Sequence, residues 1–220
     1  MKYDISFTIL ARELKAAALF ASTDECRYIM NGVCVEVWPD GRVLLIGTDG
    51  RTLAFVKATL RVADVEGLPE LPSGECVKLI IPSKMIADVR GNGCRAIYMR
   101  FTCDGATVPD VSMREEFSDI TKTAKAVDGT YPNVRAVVQQ PQEKGVRSVF
   151  LAPKLLSKFA KAIDMLAGGK NDGMIISPSG TELDSAIITS DSSTSFYGVL
   201  MPLRNNSINF SICPPRPAWV

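Results

Sequence analysis

The chain has 220 residues, of which 46% are hydrophobic and 22% charged, and its formal net charge is +1. This length is sufficient for a globular core, and the near-neutral charge excludes a strongly basic nucleic-acid binder of the histone type. The absence of histidine removes the usual general base and the commonest zinc ligand. The sequence therefore predicts a protein that is not an enzyme, with no catalytic centre, no metal and no cofactor.

The sequence shows no membrane or secretion signal. No apolar run approaches the ~20 residues that span a bilayer, and Asp4 lies where a signal peptide would be positively charged or apolar. We expect a cytoplasmic protein. The cysteines form no CxxC pair, and most lie in apolar, strand-like runs, which favours buried reduced thiols over disulfides. They are Cys26, Cys34, Cys76, Cys94, Cys103 and Cys213.

A pattern of strand, helix and three further strands occurs three times along the chain. The first copy consists of the alternating strand YDISFTI, the Ala-rich helix LARELKAAALFAST and three strands in RYIMNGVCVEVWPDG, RVLLIGTDG and RTLAFVKATL. Pro-Asp-Gly and Asp-Gly mark the turns of this meander.

The second and third copies follow the same order. The second consists of CVKLIIP, the helix SKMIADVRG and the strands AIYMRFTCDG, TVPDVSMRE and DITKTAKAVDG. The third consists of VRSVFLA, the helix PKLLSKFAKAIDMLAGG and the strands GMIISPSG, ELDSAIITSD and TSFYGVLMPLR. Pro153 is suited to a first helical turn and Gly168 to a helix end.

Several of these segments resemble, in family order, the bacterial DNA sliding clamp, the beta subunit of DNA polymerase III. RYIMNGVCVEV and LLIGTDGRTLA are similar to its middle domain, where an Arg-Tyr-aromatic-Leu-Asn-Gly strand leads to a Thr-Asp-Gly-His-Arg-Leu-Ala turn. VDGTYPNVRAVV resembles the Asp-Gly-aromatic-Pro-Asp-Tyr-Arg segment that closes that domain. FYGVLMPLR resembles the clamp's carboxy-terminal Tyr-Val-Val-Met-Pro-Met-Arg strand. The resemblance is to a shortened, phage- or prophage-like variant of the family.

The resemblance implies an α+β DNA-clamp fold of repeated strand-helix-three-strand half-units, with antiparallel sheets and paired helices. Residues 1–140 would form a complete clamp-like domain of two half-units with their helices side by side. Residues 146–205 would form a single further half-unit, and residues 206–220 an extended tail.

In the sliding clamp family the Thr-Asp-Gly turn borders a hydrophobic pocket that captures short peptide motifs of polymerases and other partners. In isolation, the same Asp-Gly is simply a hairpin turn. Two departures concern peptide specificity: Arg51 and Thr52 replace the family's His-Arg pair, and Ala136 replaces a second arginine. The residues that match the pocket are Met30, Thr48, Gly50, Arg51, Leu53, Pro132, Val137, Val199, Met201, Pro202, Leu203 and Arg204.

Basic residues recur on the predicted helices. Lys154, Lys158 and Lys161 lie at i, i+4 and i+7 of the third helix, opposite its apolar face. This spacing is typical of an ordinary solvated helix face, but clamps line their central hole with such helices, which contact DNA phosphates without reading bases. The candidate DNA-facing residues are Arg12, Lys15, Lys84, Arg90, Arg95, Lys154, Lys158 and Lys161.

Two functions remain open at this stage. One is a sliding-clamp-like processivity factor in DNA replication that encircles or contacts duplex DNA and binds polymerase-type peptides, with a clamp loader as a further partner. The other is a non-encircling protein with the clamp fold that regulates or competes with a full-length clamp. A chain with an odd number of half-units leaves one without its twin, which predicts self-association as a dimer or tetramer.

Overall fold

The computed structural model describes residues 2–60, 65–89, 95–105, 108–138, 149–168, 172–178, 184–191 and 195–203. The strands are β1 (Tyr3–Leu10), β2 (Gly32–Val37), β3 (Val43–Thr48), β4 (Thr52–Lys57), β5 (Val77–Pro82), β6 (Ala96–Cys103), β7 (Asp110–Glu115), β8 (Thr121–Lys125), β9 (Met174–Pro178), β10 (Ala186–Ser190) and β11 (Phe196–Leu200). The α-helices are α1 (Ala11–Ala18), α2 (Ser83–Ala87) and α3 (Pro153–Ala167), and 3₁₀ helices occur at Glu25–Met30 and Val134–Val137.

These elements form three copies of one unit. The first unit contains β1, α1 and β2–β4, the second contains β5, α2 and β6–β8, and the third contains α3 and β9–β11. The strands make a four-stranded sheet, ordered β1-β6-β7-β8, and a seven-stranded sheet, ordered β5-β2-β3-β4-β11-β10-β9. All strand pairs are antiparallel. The α+β fold with antiparallel sheets predicted from the sequence is confirmed.

The first strand of each of the first two units crosses to the sheet of the other. β1 precedes α1 but pairs with β6, the first strand after α2, over its full length of eight residues. In the same way, β5 precedes α2 but pairs with β2, the first strand after α1. The two units therefore interlock, because each supplies an outer strand to the other's sheet.

The third unit joins this pair of units through β11. This strand pairs with β4, so that Val199 lies opposite Leu53 and Phe196 opposite Val56. The strand predicted at the start of the third unit lies mostly outside the described residues, and residues 149–152 belong to no strand. The predicted tail at 206–220 also lies outside the described residues, as does Arg204.

The helices pair differently from the sequence-based expectation. α2 has only five residues, so its contact with α1 is short, and α1 packs more extensively on α3 of the third unit. Just after the end of α1, the ring of Phe20 adds an aromatic contact, 4.7 Å from the ring of Phe159 on α3. On its other side α1 lies directly on β3, because a Cβ atom at Gly47 would be only 2.1 Å from the carbonyl oxygen of Ala17. The side-by-side helices are therefore mainly those of the first and third units.

The ends of the two longer helices have clear local causes. α3 begins at Pro153, whose fixed φ suits a first turn, and is followed by Gly168 at φ 63°, as predicted from the sequence. At the start of α1 the buried carboxylate of Glu13 accepts hydrogen bonds from the backbone N–H of Leu10 at 3.3 Å and of Thr59 at 3.1 Å. Burial raises the pKa of Glu13, although these hydrogen bonds oppose the shift.

β2 is buried on both faces, which gives the molecule two layers of core. Val33, Val35 and Val37 belong to the main cluster, together with α1 and α3. Cys34 lies on the opposite face and belongs to a smaller cluster with Ile46, Leu53, Ile80, Tyr131, Val134 and Val199. The segment Val127–Val138, which we call the covering segment, lies over this outer face. The N–H of Val127 donates to Ile80 O at 2.9 Å and the hydroxyl of Tyr131 donates to Ile46 O at 3.3 Å.

The described residues contain no disulfide, no cluster of metal-ligating side chains and no membrane-spanning helix. Cys26, Cys34, Cys76 and Cys103 take part in no disulfide, and burial raises the pKa of Cys34 to about 12. Across the same residues, no group of side chains has the composition of a metal site. None of the helices there is long and apolar enough to cross a bilayer.

Candidate peptide-binding pocket

A cavity of about 160 Å³ opens between the covering segment, the β3–β4 turn and the residues after β11. The lining residues predicted from the sequence are Met30, Thr48, Gly50, Arg51, Leu53, Pro132, Val137, Val199 and Met201. Pro202 and Leu203 are half-buried and follow directly, but they are not among its lining residues. Residues from four separate segments thus meet at one place, as the predicted pocket requires.

Three further residues line the cavity and were not predicted. They are Thr52, Asn133 and Val134. Each lies inside one of two motifs, TDGRT and YPNVRAV, that the sequence already assigned to the pocket. Treating every residue of these motifs as a candidate would have found all three. Residue-by-residue matching to the family missed these side chains because only this chain's own backbone places them at the wall.

The β3–β4 turn is organised by the side chain of Asp49. Its Oδ1 accepts hydrogen bonds from the backbone N–H groups of Arg51 at 2.9 Å and Thr52 at 2.7 Å. The hydroxyl of Thr48 donates to Thr52 O at 2.7 Å, and Gly50 takes φ 84°, which favours glycine. The turn is therefore a fixed wall of the pocket.

Asp49 also connects this turn to the third unit. Its Oδ2 lies 2.7 Å from Nζ of Lys158 on α3, and both side chains are largely buried. Burial alone would raise the pKa of Asp49, but the hydrogen bonds from Lys158 and from the Arg51 and Thr52 N–H groups outweigh it and lower the pKa. The sequence predicted Lys158 as a DNA-facing residue, whereas in the structure its ammonium group forms an ion pair with the carboxylate of Asp49. The lysine stripe of α3 is thus reduced to Lys154 and Lys161.

The wall contributed by the third unit is held by backbone hydrogen bonds. The N–H of Met201 donates to Arg51 O at 2.9 Å, and the N–H of Leu203 donates to Phe150 O at 2.9 Å. These two bonds fix the backbone after β11 beside the turn. The side chain of Met201, which is 42% exposed, is consequently held at the mouth of the cavity.

The covering segment is held down by an ion pair beneath it. Arg135 donates to both carboxylate oxygens of Glu36, at 2.8 and 2.5 Å, and Lys78 lies 3.5 Å from the same group. The Glu36 side chain is only 2% exposed. Burial would raise the pKa of Glu36, but the hydrogen bonds and charges of Arg135 and Lys78 more than offset it and lower the pKa. This ion pair fixes the backbone between Val134 and Val137, the wall opposite Met201.

The chemistry of the cavity favours apolar side chains of a linear peptide. Its floor is the apolar outer face of the seven-stranded sheet, and the sulfur of Met30 and the side chain of Met201 supply adaptable surface. Pockets that bury whole drug-sized ligands have volumes of about 300–1,000 Å³. The smaller volume here is suited to one or two side chains.

The predicted DNA-facing residues fall into distinct environments. Lys84, Lys154 and Lys161 are exposed on α2 and α3, and Lys15 is half-buried on α1. Arg12 lies at the C-terminal end of α3, where its Nη1 would be 2.7 Å from a Cβ atom at Gly168. This position suits a cation at a helix C-terminus, so Arg12 has a structural role.

Arg95 lies in a different environment from the helix lysines. It lines a cleft of about 720 Å³ between α2 and β7, together with Glu115, Glu116 and the exposed ring of Phe117. The acidic neighbours make this position less suited to phosphate than the sequence implied. Arg90 lies outside the described residues.

Repeated units with interlocked antiparallel sheets, helices packed side by side and an apolar pocket at the junction with a further unit define a fold of the DNA-clamp type. Comparison with known proteins agrees with this class. The chain is 27% identical over 161 residues to the beta sliding clamp of Caulobacter vibrioides. The matched region covers 72% of this chain and 38% of the relative. It is 27% identical over 175 residues to the beta sliding clamp of Synechococcus elongatus, which covers 79% of this chain and 42% of the relative.

Solved structures give the same result for the fold. The structure of DNA polymerase III subunit beta from Borrelia burgdorferi matches with a TM-score of 0.61 at 15% identity, over 90% of this chain and 64% of that one. No family model matches the chain. The chain spans about two fifths of the length of the curated relatives it matches. The resemblance to the bacterial sliding clamp family and the α+β clamp fold are confirmed.

Proposed function

We propose that this protein is a sliding-clamp-like factor that binds a polymerase-type peptide in the pocket beside β11 and contacts duplex DNA through its helices. The observation that carries the proposal is the convergence of nine predicted residues on one cavity. In this proposal, the first and second units, to about residue 140, form a complete clamp-like domain, and residues 146–205 form a single half-unit. DNA polymerase, a clamp loader and further copies of the chain are the proposed protein partners.

Peptide binding rests on burial of apolar side chains in the pocket. Replacing Met201 by aspartate places a charge at the mouth of an apolar cavity, where a bound peptide would bury it without a counter-charge. We expect the affinity for a short peptide with bulky apolar residues to fall at least tenfold, or about 1.4 kcal/mol. Fluorescence anisotropy with a labelled clamp-binding peptide measures this directly.

The control for this experiment is Ile120→Asp. Ile120 is 69% exposed and lines the cleft beside α2 instead of the pocket, so the same apolar-to-acidic change should leave peptide affinity unchanged. Circular dichroism should show that both variants are folded. If Met201→Asp binds every tested clamp-binding peptide as tightly as the unaltered chain, the pocket is not the binding site.

DNA contact rests on the exposed lysines of the helices. Because the net charge is only +1, such contact would be weak, independent of sequence and strongly dependent on salt. Replacing Lys154 and Lys161 together by glutamate should abolish DNA binding at moderate salt concentration. Where binding is still measurable, at low salt, the plot of log affinity against log salt concentration should be less steep by about two units. Lys158 is left unchanged because it pairs with Asp49.

The matched control replaces Lys57 and Lys125 by glutamate, which changes the net charge by the same amount. Both lysines are exposed, but they lie on β4 and β8 instead of the helices. Electrophoretic mobility shift at several salt concentrations compares the two double variants. Equal loss of binding in both would show a general charge effect and would contradict a DNA-facing helix layer.

The second function is a non-encircling clamp-fold protein that regulates or competes with a full-length clamp. It is favoured by the pairing of Lys158 with Asp49, which removes a charge from the helix layer. Retention on closed circular DNA, with loss after linearisation, would support an encircling factor. Peptide binding without any retention on circular DNA would support the regulator.

A further inference from the structure

The apolar pocket beside β11 has one charged side chain among its lining residues, that of Arg51. Thr52 and Ala136, which stand where the family pattern has arginines, carry no charge. None of the lining residues is acidic. The charge of the pocket wall is therefore a single positive charge, located at the β3–β4 turn.

The guanidinium group of Arg51 is available to a ligand. Arg51 is exposed, and its backbone holds it in place: the N–H donates to Asp49 Oδ1 at 2.9 Å, and the carbonyl oxygen accepts from Met201 N at 2.9 Å. The second oxygen of Asp49 is occupied, because it lies 2.7 Å from Nζ of Lys158. Across the part of the chain that the structure describes, the Arg51 guanidinium forms no ion pair or hydrogen bond.

The hydroxyl groups of the pocket already donate their protons within the turn. The hydroxyl of Thr48 donates to Thr52 O at 2.7 Å, and the hydroxyl of Thr52 donates to Asp49 Oδ1 at 2.8 Å. The other polar side chain of the lining is the amide of Asn133, on the covering segment. A side-chain amide both donates and accepts hydrogen bonds, which suits the backbone of an extended peptide. Recognition of a charge in the ligand therefore falls to Arg51.

The surroundings of the turn reinforce its positive charge. Arg27 Nη1 donates to Asp49 O at 3.1 Å, so a second guanidinium lies against the turn. Its ion pair with Asp24 is long, at 3.6 Å, and both side chains are about half exposed. With Arg51 and Lys158, three cations thus face two carboxylates at this wall. The net charge favours an anionic ligand group over a cationic one.

We propose that the pocket selects peptides that carry an acidic residue beside their bulky apolar residues, and that Arg51 is the residue that recognises the acid. This inference rests on the proposed function, because it requires that a peptide binds in the pocket. The planar donors of a guanidinium pair with both oxygens of a carboxylate. The apolar side chains enter the cavity of about 160 Å³ and supply most of the affinity. The acid supplies the discrimination between one apolar peptide and another.

Paired peptides test this selection on the full chain. Each short peptide has a Leu-Leu pair in a Gly-Ser background and one aspartate at one of the positions flanking the pair, and its partner has asparagine there. In fluorescence anisotropy at low salt, the aspartate member of at least one pair should bind about threefold or more tightly than its asparagine partner. The preference should shrink as salt is raised. Arg51→Gln should bind both members of that pair equally.

Arg42→Gln is the matched control for the loss of one arginine. Arg42 is exposed in the turn between β2 and β3, where it pairs with Asp40, and it does not line the pocket. This variant changes the net charge by the same amount and should keep the preference for aspartate. Equal binding of all pairs by the unaltered chain, or a preference that survives in Arg51→Gln, would overturn the proposal. The salt series on the unaltered chain remains decisive if Arg51→Gln fails to fold.

Met201→Asp separates this inference from the proposed function, because it should weaken the binding of aspartate and asparagine peptides alike. If the unaltered chain binds the peptides without a charge preference and Met201→Asp removes that binding, the pocket stands and the role of Arg51 is refuted. If no peptide binds, or if Met201→Asp has no effect, the proposed peptide site is wrong and the selection by Arg51 is refuted with it.

Discussion

Replacing Phe159 by alanine should lower the free energy of unfolding by about 3–5 kcal/mol, because the change removes a large buried ring and leaves a cavity. Phe159 is fully buried. Its ring centroid lies 4.7 Å from that of Phe20, just after α1, and 6.4 Å from that of Phe196 on β11. The ring also occupies the space above Gly198, where a Cβ atom would be only 2.5 Å from Phe159 Cε1. Urea denaturation followed by circular dichroism measures the loss.

Phe117→Ala is the control for this prediction. Phe117 is 94% exposed, and the same chemical change there should alter the free energy of unfolding by no more than about 0.5 kcal/mol. The difference between the two variants isolates the contribution of the aromatic junction between the first and third units. Similar stability of both variants would mean that the third unit is not packed on α1 as described.

Glu36→Gln is expected to lower the free energy of unfolding by about 1.5–3 kcal/mol at neutral pH, the cost of losing charge-assisted hydrogen bonds at a buried site. The partners of Glu36 hold its pKa below the ordinary value of 4.5. A carboxylate with a lowered pKa contributes stability above that ordinary value, and the contribution is lost as pH falls through the folded-state pKa. The difference between the unaltered chain and the variant should therefore shrink as the pH falls below about 4.5.

Asp40→Asn, in the turn between β2 and β3, provides the matched control. Asp40 pairs with Arg42, and both side chains are more than half exposed, so this exposed pair should contribute little. The two variants are compared by urea denaturation at pH 7 and at pH 3 to 4. If Glu36→Gln and Asp40→Asn behaved alike at both pH values, Arg135 would not be holding the covering segment through Glu36.

The pocket residues could be predicted from the sequence because short motifs resemble those that border the peptide pocket of the sliding clamp family. The TDGRT turn, the YPNV segment and the last strand each retain side chains whose positions follow from the local backbone. The pairing of Lys158 with Asp49 could not be predicted, because the two residues are 109 positions apart. A regular lysine spacing indicates an exposed helix face, but it does not show that one member of the series reaches a turn in another unit.

The arrangement of the helices shows the same limit. The apolar faces of α1 and α3 follow from their periodicity, and the boundaries of α3 from Pro153 and Gly168. Periodicity states that a helix has a buried face, but not which element buries it. The sequence therefore predicted a pairing of α1 with α2, which do touch, whereas α1 packs more extensively on α3. The short length of α2 is the physical reason.

The two hydrogen bonds that hold the residues after β11 have a thermodynamic consequence. The pocket has one wall in the first unit and another in the third, so it is complete only while the third unit is docked. By mass action, a peptide that binds only the complete pocket also stabilises the packing of the third unit on the first. At a concentration 100 times its dissociation constant, the peptide stabilises this packed state by about 2.7 kcal/mol. Peptide binding and packing of the third unit on the first are therefore thermodynamically linked. A bound peptide stabilises the contact between Arg51 and Met201, which are 150 residues apart in the chain.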